Sequence, residues 1–199
     1  MEALTALTLK PRRAPRRRHL YAAVCALLLL GVGAPQPAPA QTPATESQVK
    51  AAYLYNFTKF ARWPADTAAG EHFTICILGR DPFGRVLDAT VAGESVDGKT
   101  VTVRRFTAAG DASGCRILYI ARSQETELAQ LLPQVRPGTL TVSDIDRFAE
   151  RGGIIRFVND GNRVRFEVNL SAAEHAGLVL SSELLKVAIN VRRDQKAGQ

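Results

Sequence analysis

The sequence predicts an α/β fold: a three-layer α/β/α sandwich whose mostly parallel sheet is closed by an antiparallel C-terminal hairpin. Short apolar strands alternate with helical segments through residues 46–150, which is typical of a parallel sheet covered on both faces. Two strand-like runs over 154–158 and 163–169 then flank an Asn-Asp-Gly-Asn turn at 159–162. Asp-Gly between such runs indicates a hairpin, since glycine tolerates the positive φ of a tight turn.

The helices are predicted from apolar spacing and from residues that favour helix starts. A helix over 46–62 must end before Pro64, because the residue preceding proline disfavours the α region. Asp81 is expected to cap a helix over 81–91, and Ser123 a helix that ends at Pro133. Two short helices follow the hairpin, the first with a capping box formed by Ser171 and Glu174.

The remaining strands are predicted from apolar or alternating runs. They cover residues 73–79, 99–106, 116–121 and 139–142. A helical turn over 145–150 follows, with Ser143 or Asp144 as its cap.

The first forty residues have the features of an export signal. Arginines and one lysine precede an apolar stretch over 21–32 that is too short to span a bilayer. The small-x-small sequence Ala38-Pro39-Ala40 then predicts removal of residues 1–40 before Gln41. Residues 41–199 are expected to form a single soluble periplasmic domain that is not inserted in the membrane.

Most of the basic charge belongs to this leader. The whole chain has a formal net charge of +7, but the leader holds six of the 26 basic residues and one of the 19 acidic ones. The mature chain therefore keeps 20 basic and 18 acidic residues. Nearly balanced charge argues against nucleic acid as a partner.

The loop that follows the strand over 73–79 is a candidate ligand loop. Gly79, Arg80 and Gly84 lie between a strand and a helix, with glycines spaced as in a phosphate-binding loop. Arg85 and Val86 stand where that loop needs lysine and a hydroxyl residue, so nucleotide binding is not expected. A small anion at the carboxyl end of the strand and a plain structural turn both stay open.

The mature chain offers little for catalysis. It has two histidines, His72 and His175, and lacks the usual nucleophile and paired-ligand motifs. We therefore predict no enzyme, no cofactor and no metal.

Cys76 and Cys115 are the two cysteines left after export, and an even count in an oxidising compartment suggests a disulfide. That bond is either a structural staple or a redox-sensitive switch.

The second hairpin strand alternates between apolar and polar residues. Val164, Phe166 and Val168 are expected to face the core, which places the polar residues on the opposite face. This polar face is either plainly solvated or a surface that contacts a partner. The candidate contact residues are Arg163, Arg165, Glu167, Asn169 and, from the first strand, Arg156.

Several phrases in order along the chain resemble one known family. They are FARWP (60–64), FTICILG (73–79), DPFG (81–84), CRILYI (115–120), LTVSD (140–144), GGII (152–155), RFEVN (165–169) and SSELL (181–185). Together they are similar to the YfiR family of small periplasmic proteins, across nearly all of the mature chain.

The resemblance implies a function without chemistry. It implies a repressor that binds the periplasmic sensor domain of an inner-membrane diguanylate cyclase of the YfiN type, or of a similar sensor protein. An outer-membrane lipoprotein that sequesters the repressor and a homodimer are implied as well. Cys76 and Cys115 match the family's inter-strand cysteine pair, whereas Glu150 and Phe157 lie where some members have a second pair. A periplasmic sensor that binds a small ligand at the 79–84 loop is the alternative.

Overall fold

A computed structural model describes residues 43–64, 71–107, 112–161 and 163–193. The predicted leader and its cleavage site lie outside these described residues. Within them, no helix is both long and apolar enough to cross a lipid bilayer.

Strands and helices follow one another through the described chain. The strands are β1 (Ala61–Arg62), β2 (His72–Leu78), β3 (Ser95–Val96), β4 (Lys99–Phe106), β5 (Ile117–Ile120), β6 (Leu140–Ser143), β7 (Ile155–Asp160), β8 (Arg163–Asn169), β9 (Val179–Leu180) and β10 (Asn190–Arg192). The helices are α1 (Glu46–Phe60), α2 (Arg85–Val91), α3 (Leu128–Leu131), α4 (Leu170–His175) and α5 (Ser182–Val187), with 3-10 turns at Arg122–Glu127 and Leu132–Gln134.

The main sheet has eight strands in the order β10-β8-β7-β6-β5-β2-β4-β3. Five neighbours, from β4 to β7, run parallel, and β8 returns antiparallel to β7. The predicted α/β fold with a mostly parallel sheet is therefore confirmed. The hairpin is not the last element of the sheet, because β10 adds outside β8 in parallel. β1 and β9 pair separately as a small antiparallel sheet.

Both faces of the sheet are buried, as the apolar run of β2 predicts. Alternate residues of a strand point to opposite faces. Ile75 and Ile77 therefore pack in the core cluster that contains α1, while Cys76 and Leu78 pack in the cluster that contains α3. The central strands thus have no solvated face.

The first helix is shorter than predicted. Thr45 caps α1, its side chain accepting from the Gln48 amide, and the helix ends at Phe60. Ala61 and Arg62 leave the helix because they pair with Leu180 and Val179 of β9. A contact with a distant strand, rather than Pro64, ends the helix.

Three predicted helix starts are wrong, and in two of them the capping side chain is used elsewhere. Asp81 accepts from the Phe83 amide at 2.7 Å, and α2 begins only at Arg85. Ser123 accepts from the Arg80 amide at 2.9 Å and lies in a 3-10 turn. The N-cap of α4 is Asn169, whose side chain accepts from the Ala172 amide, and not Ser171. The predicted turn cap at Ser143 is confirmed, because the Ile145 amide donates a hydrogen bond to Ser143 Oγ at 3.0 Å.

The hairpin turn lies one residue later than predicted. Asp160 pairs with Arg163, so Asn159 and Asp160, which were predicted to lie in the turn, belong to β7. Gly161 has a φ of +62°, a left-handed conformation that glycine adopts without strain. The register places Phe157 opposite Phe166, and both rings pack on Phe57 of α1.

Candidate functional site

The polar face of the β7–β8 hairpin carries most of the residues predicted to contact a partner. Antiparallel pairing sets Arg156 opposite Glu167 and Val158 opposite Arg165. Their neighbours along each strand, such as Phe157 and Phe166, are buried in the core. The core therefore fixes this register, since a slip by one residue would exchange the two faces.

Arg156 is the centre of an ion-pair network on this face. Its guanidinium lies 3.3 Å from Glu167 Oε2 and 3.2 Å from Asp146 Oδ1. The Arg156 and Glu167 side chains are 21% and 23% exposed, so this pair is partly shielded from water. Glu167 is thus already paired within the protein itself. Asp146, which follows β6, was not predicted as part of this surface.

Arg163 and Arg165 differ from Arg156 because neither makes an ion pair within the described ranges. Arg163 is exposed and Arg165 is half-buried. Both belong to the regular strand β8, so their backbone is held in place by the sheet. They supply positive charge that the rest of this face does not neutralise.

Asn169 does not lie on the solvated face, and the expectation that it faces water is wrong. Its exposed fraction is 3%. Its side-chain oxygen caps α4, and its side-chain nitrogen donates to the Ala149 carbonyl at 2.8 Å. The residue is used to join β8 to the following helix. The other four candidate residues remain within reach of solvent.

A groove of about 770 Å³ follows the open edge of β8. β10 pairs only with Glu167–Asn169, so Arg163 and Arg165 have no strand beside them on that side within the described chain. The groove brings together charged and apolar side chains from three elements, namely Glu46 and Tyr53 of α1, Arg163 and Arg165 of β8, and Lys186 and Val187 of α5. Glu46 and Lys186 were not predicted as part of this surface, because only the fold brings these distant segments to the hairpin.

The Gly79–Gly84 loop is fixed by contacts to the protein itself. Gly79 has a φ of +95°, and a Cβ there would lie 2.6 Å from Ser123 Oγ. Arg105 of β4 lies 2.6 Å from Asp81 and 2.6 Å from Asp88, and it donates to the Gly84 carbonyl at 2.9 Å. Hydrogen bonds to Asp88 above all raise the pKa of Arg105. The role of Gly79, Arg80 and Gly84 as a ligand loop stays a prediction.

The Asp88–Arg105 ion pair predicts a change in stability under acid conditions. The hydrogen bond from Arg105 lowers the pKa of Asp88 below its ordinary value of 3.8. The ion pair therefore contributes stability above about pH 4, and this contribution is lost as the pH falls through the lowered pKa. Asp88→Asn should be less stable than the wild type at neutral pH, and the difference should shrink below about pH 4 in urea unfolding.

Asp97→Asn is the matched control for this measurement. Asp97 is exposed, makes no ion pair within the described ranges and has a φ of +50°, which asparagine tolerates. Its substitution should leave the pH dependence as in the wild type. A gap between Asp88→Asn and wild type that stays constant down to about pH 2 would contradict the assignment.

A disulfide joins Cys76 of β2 to Cys115, which lies two residues before the start of β5. The two Cα atoms are 5.7 Å apart, and both residues are buried. β2 and β5 are adjacent parallel strands, and both cysteines lie in the core cluster that contains α3. The staple and the switch both stay predictions.

The chain is similar to proteins of one family and to solved structures. The model of the YfiR/HmsC-like family matches residues 47–189, well over half of the chain. The comparison with curated proteins found no match. A crystal structure of a conserved domain protein from Vibrio cholerae O1 biovar eltor str. N16961 has a TM-score of 0.53 at 10% identity, covering 76% of this chain and 62% of that one. This likeness concerns the fold alone.

The ABC domain in complex with L-Trp from Streptococcus pneumonia is a weaker match. Its TM-score is 0.40 at 15% identity, covering 60% of this chain and 55% of that one. Within the described residues, no group of three or more histidine, cysteine or acidic side chains is placed to hold a metal ion.

The family match, which includes the hairpin and the disulfide, establishes that the chain belongs to the YfiR/HmsC-like family, a family of periplasmic regulatory proteins in cyclic-di-GMP signalling.

Proposed function

We propose that this protein represses an inner-membrane diguanylate cyclase by binding its periplasmic sensor domain through the β7–β8 hairpin. The family supports a regulator that acts with a membrane sensor protein. The observation that carries the choice of surface is the pair of arginines on β8, Arg163 and Arg165, which make no ion pair with any residue that the structure describes. Arginine is enriched where proteins meet, because its guanidinium binds carboxylates with two hydrogen bonds.

The charge of the hairpin defines the partner surface. Glu167 and Asp146 neutralise the charge of Arg156, so the unneutralised charge comes from Arg163 and Arg165. The complementary surface on the sensor domain carries acidic side chains, with an apolar residue for the groove wall formed by Tyr53 and Val187. Association should slow as salt is added, since opposite charges steer such encounters. The lipoprotein partner and the homodimer stay predictions.

Reversal of one charge tests the proposal. Deleting the gene should raise cellular cyclic-di-GMP, and the wild-type chain should restore the low level. Arg165→Glu should fail to restore it, because a carboxylate would then face the acidic partner surface, a mismatch that costs several kcal/mol. The substitution removes no ion pair within the described ranges, so immunoblots should show normal amounts of protein in the periplasm.

Arg136→Glu is the matched control. Arg136 is exposed, and its substitution by glutamate changes the net charge by the same amount as Arg165→Glu. It lies before β6, at the amino-terminal edge of the parallel strands. β8 begins at the opposite edge, because it runs antiparallel to β7. The control variant should repress normally. Unchanged cyclic-di-GMP on gene deletion would reject the function, whereas full repression by Arg165→Glu would reject the surface alone.

A further inference from the structure

The outer edge of β8 is open where the strand begins. Antiparallel strands alternate between residue pairs that exchange backbone hydrogen bonds and pairs that do not. The Asn169 amide donates to the Ile154 carbonyl at 2.8 Å, so Asn169 and every second residue before it direct their backbone groups toward β7. Val164 and Phe166 therefore direct theirs to the outer edge. The Ile189 amide, which donates to the Phe166 carbonyl at 2.9 Å from that side, agrees with this direction.

Val164 is the residue of this edge that has no strand beside it. β10 pairs in parallel with Glu167–Asn169 and does not reach it. Among the described residues, no other strand lies on this side of β8. The Val164 amide and carbonyl thus face the groove of about 770 Å³ instead of a neighbouring strand. Edge groups of this kind can pair with an extended segment of another protein, which adds to the sheet as a further strand.

The two sides of the groove differ in chemistry. Side chains of an added strand would point alternately to the two faces of the sheet. On the face that α1 covers they would meet Tyr53 and Val187, and Val187 is 56% exposed. On the opposite face they would lie beside Arg163 and Arg165. The groove therefore fits a segment in which apolar and acidic residues alternate.

The charges that line the groove favour the acidic residues of such a segment. Glu46 is the acidic side chain of the described lining, and Lys50 neutralises it at 2.6 Å. Lys186 is exposed. Like Arg163 and Arg165, it makes no ion pair with the part of the chain that the structure describes. The groove therefore keeps positive charge that a carboxylate can neutralise.

We propose that the open edge of β8 accepts an extended segment of alternating acidic and apolar residues, which pairs with Val164 as an added strand. The apolar side chains pack on Tyr53 and Val187, and the carboxylates bind Arg163 and Arg165. The sensor domain carries this segment, so the choice of partner rests on the proposed function. The strand pairing itself rests on the edge of β8.

Titration calorimetry of the purified protein with synthetic peptides tests the pairing. The probe is a peptide of about seven residues in which glutamate and valine alternate, with both ends blocked. It should bind saturably with a Kd below about 1 mM. A peptide of the same composition, with all glutamates before all valines, should bind at least about 10-fold more weakly, because it cannot place each residue type on one face. Arg165→Glu should weaken binding of the alternating peptide by a similar factor.

Methylation of the peptide backbone separates strand pairing from charge attraction. In a paired strand every second amide faces the neighbouring strand. These are the valine amides if the peptide adds antiparallel to β8 and the glutamate amides if it adds parallel. N-methylation of one residue type should therefore weaken binding about 10-fold or more, and N-methylation of the other type should leave it unchanged. Because these changes are made in the peptide, they leave the fold of the protein intact.

The pairing and the proposed function can fail separately. Absence of saturable binding, equal binding of the block peptide, or equal effects of the two N-methylations would each overturn the strand pairing. A dimer of the purified protein that the alternating peptide dissociates would also overturn it, by showing that a second copy occupies the edge. If the peptides fail but Arg165→Glu still abolishes repression, the proposed function stands without strand addition. If the peptides bind as expected but gene deletion leaves cyclic-di-GMP unchanged, the edge accepts a strand from a different partner.

Discussion

Removing the Cys76–Cys115 disulfide is expected to lower the free energy of unfolding by about 4 kcal/mol. The bond closes a segment between cysteines 39 positions apart, and a loop of this length loses roughly that much chain entropy in the unfolded state. A loss of this size is a large fraction of the stability of an ordinary domain. Urea unfolding measures this loss. The wild type and the variant in which both cysteines are alanine are each unfolded with and without reductant.

The double alanine variant is also the control for the reductant. It should unfold at the same urea concentration under both conditions, whereas the wild type should lose stability only when reduced. The same pair of proteins separates a staple from a switch. If the bond is a staple, the folded fraction of the double variant represses as well as the wild type. Equal midpoints for oxidised and reduced wild type would contradict the stabilising role.

Gly153→Ala is expected to destabilise the protein by about 3 kcal/mol, near the upper end of the cost of overpacking a core. A Cβ at this position would lie 2.0 Å from Phe148 Cε1. The Phe148 ring is 0% exposed and packs in the cluster that contains the disulfide, so it has little room to move. Gly153 is also held in place by its amide, which donates to the Phe148 carbonyl at 2.9 Å. Urea unfolding measures the cost.

A double-mutant cycle identifies the cause. Phe148→Leu removes the ring atoms that a Cβ would strike, so Gly153→Ala should cost less in that background than in the wild type. Gly93→Ala provides the comparison for backbone strain alone, because Gly93 has a φ of +76° but open space around its Cβ direction. It should cost about 1 kcal/mol. If Gly153→Ala lowers the free energy of unfolding no more than Gly93→Ala does, the Phe148 ring can move aside at no cost and the proposed clash is wrong.

The sequence predicted elements whose signal lies within their own residues. The apolar run of β2 and the alternation of β8 gave the right strand positions, because burial on one or both faces leaves a periodic pattern. The helix starts at Asp81, Ser123 and Ser171 were predicted by the same local reasoning and were wrong. Asp81 and Ser123 have polar partners on segments far along the chain, which no local rule can count.

The sequence likewise predicted only those features of the candidate site that depend on local pattern. Alternation along β8 identified the polar face, but the predicted turn would set Arg156 opposite Arg165, whereas the observed register sets it opposite Glu167. Asn169 fits the alternation but is buried, because the chain turns there into α4 and the side chain becomes its cap. The groove was not predictable, since it depends on Glu46 and Lys186 from opposite ends of the described chain. β1, β9 and β10 are too short to leave a pattern.

The open half of β8 also bears on aggregation. An uncovered strand edge is a template on which another chain, including a second copy of the same protein, can add a strand. β10 covers β8 only from Glu167 to Asn169, and the uncovered part carries Arg163 and Arg165. Two copies that met edge to edge here would bring four guanidinium groups together. The arginines that suit an acidic partner therefore also protect the protein from polymerising through its own sheet.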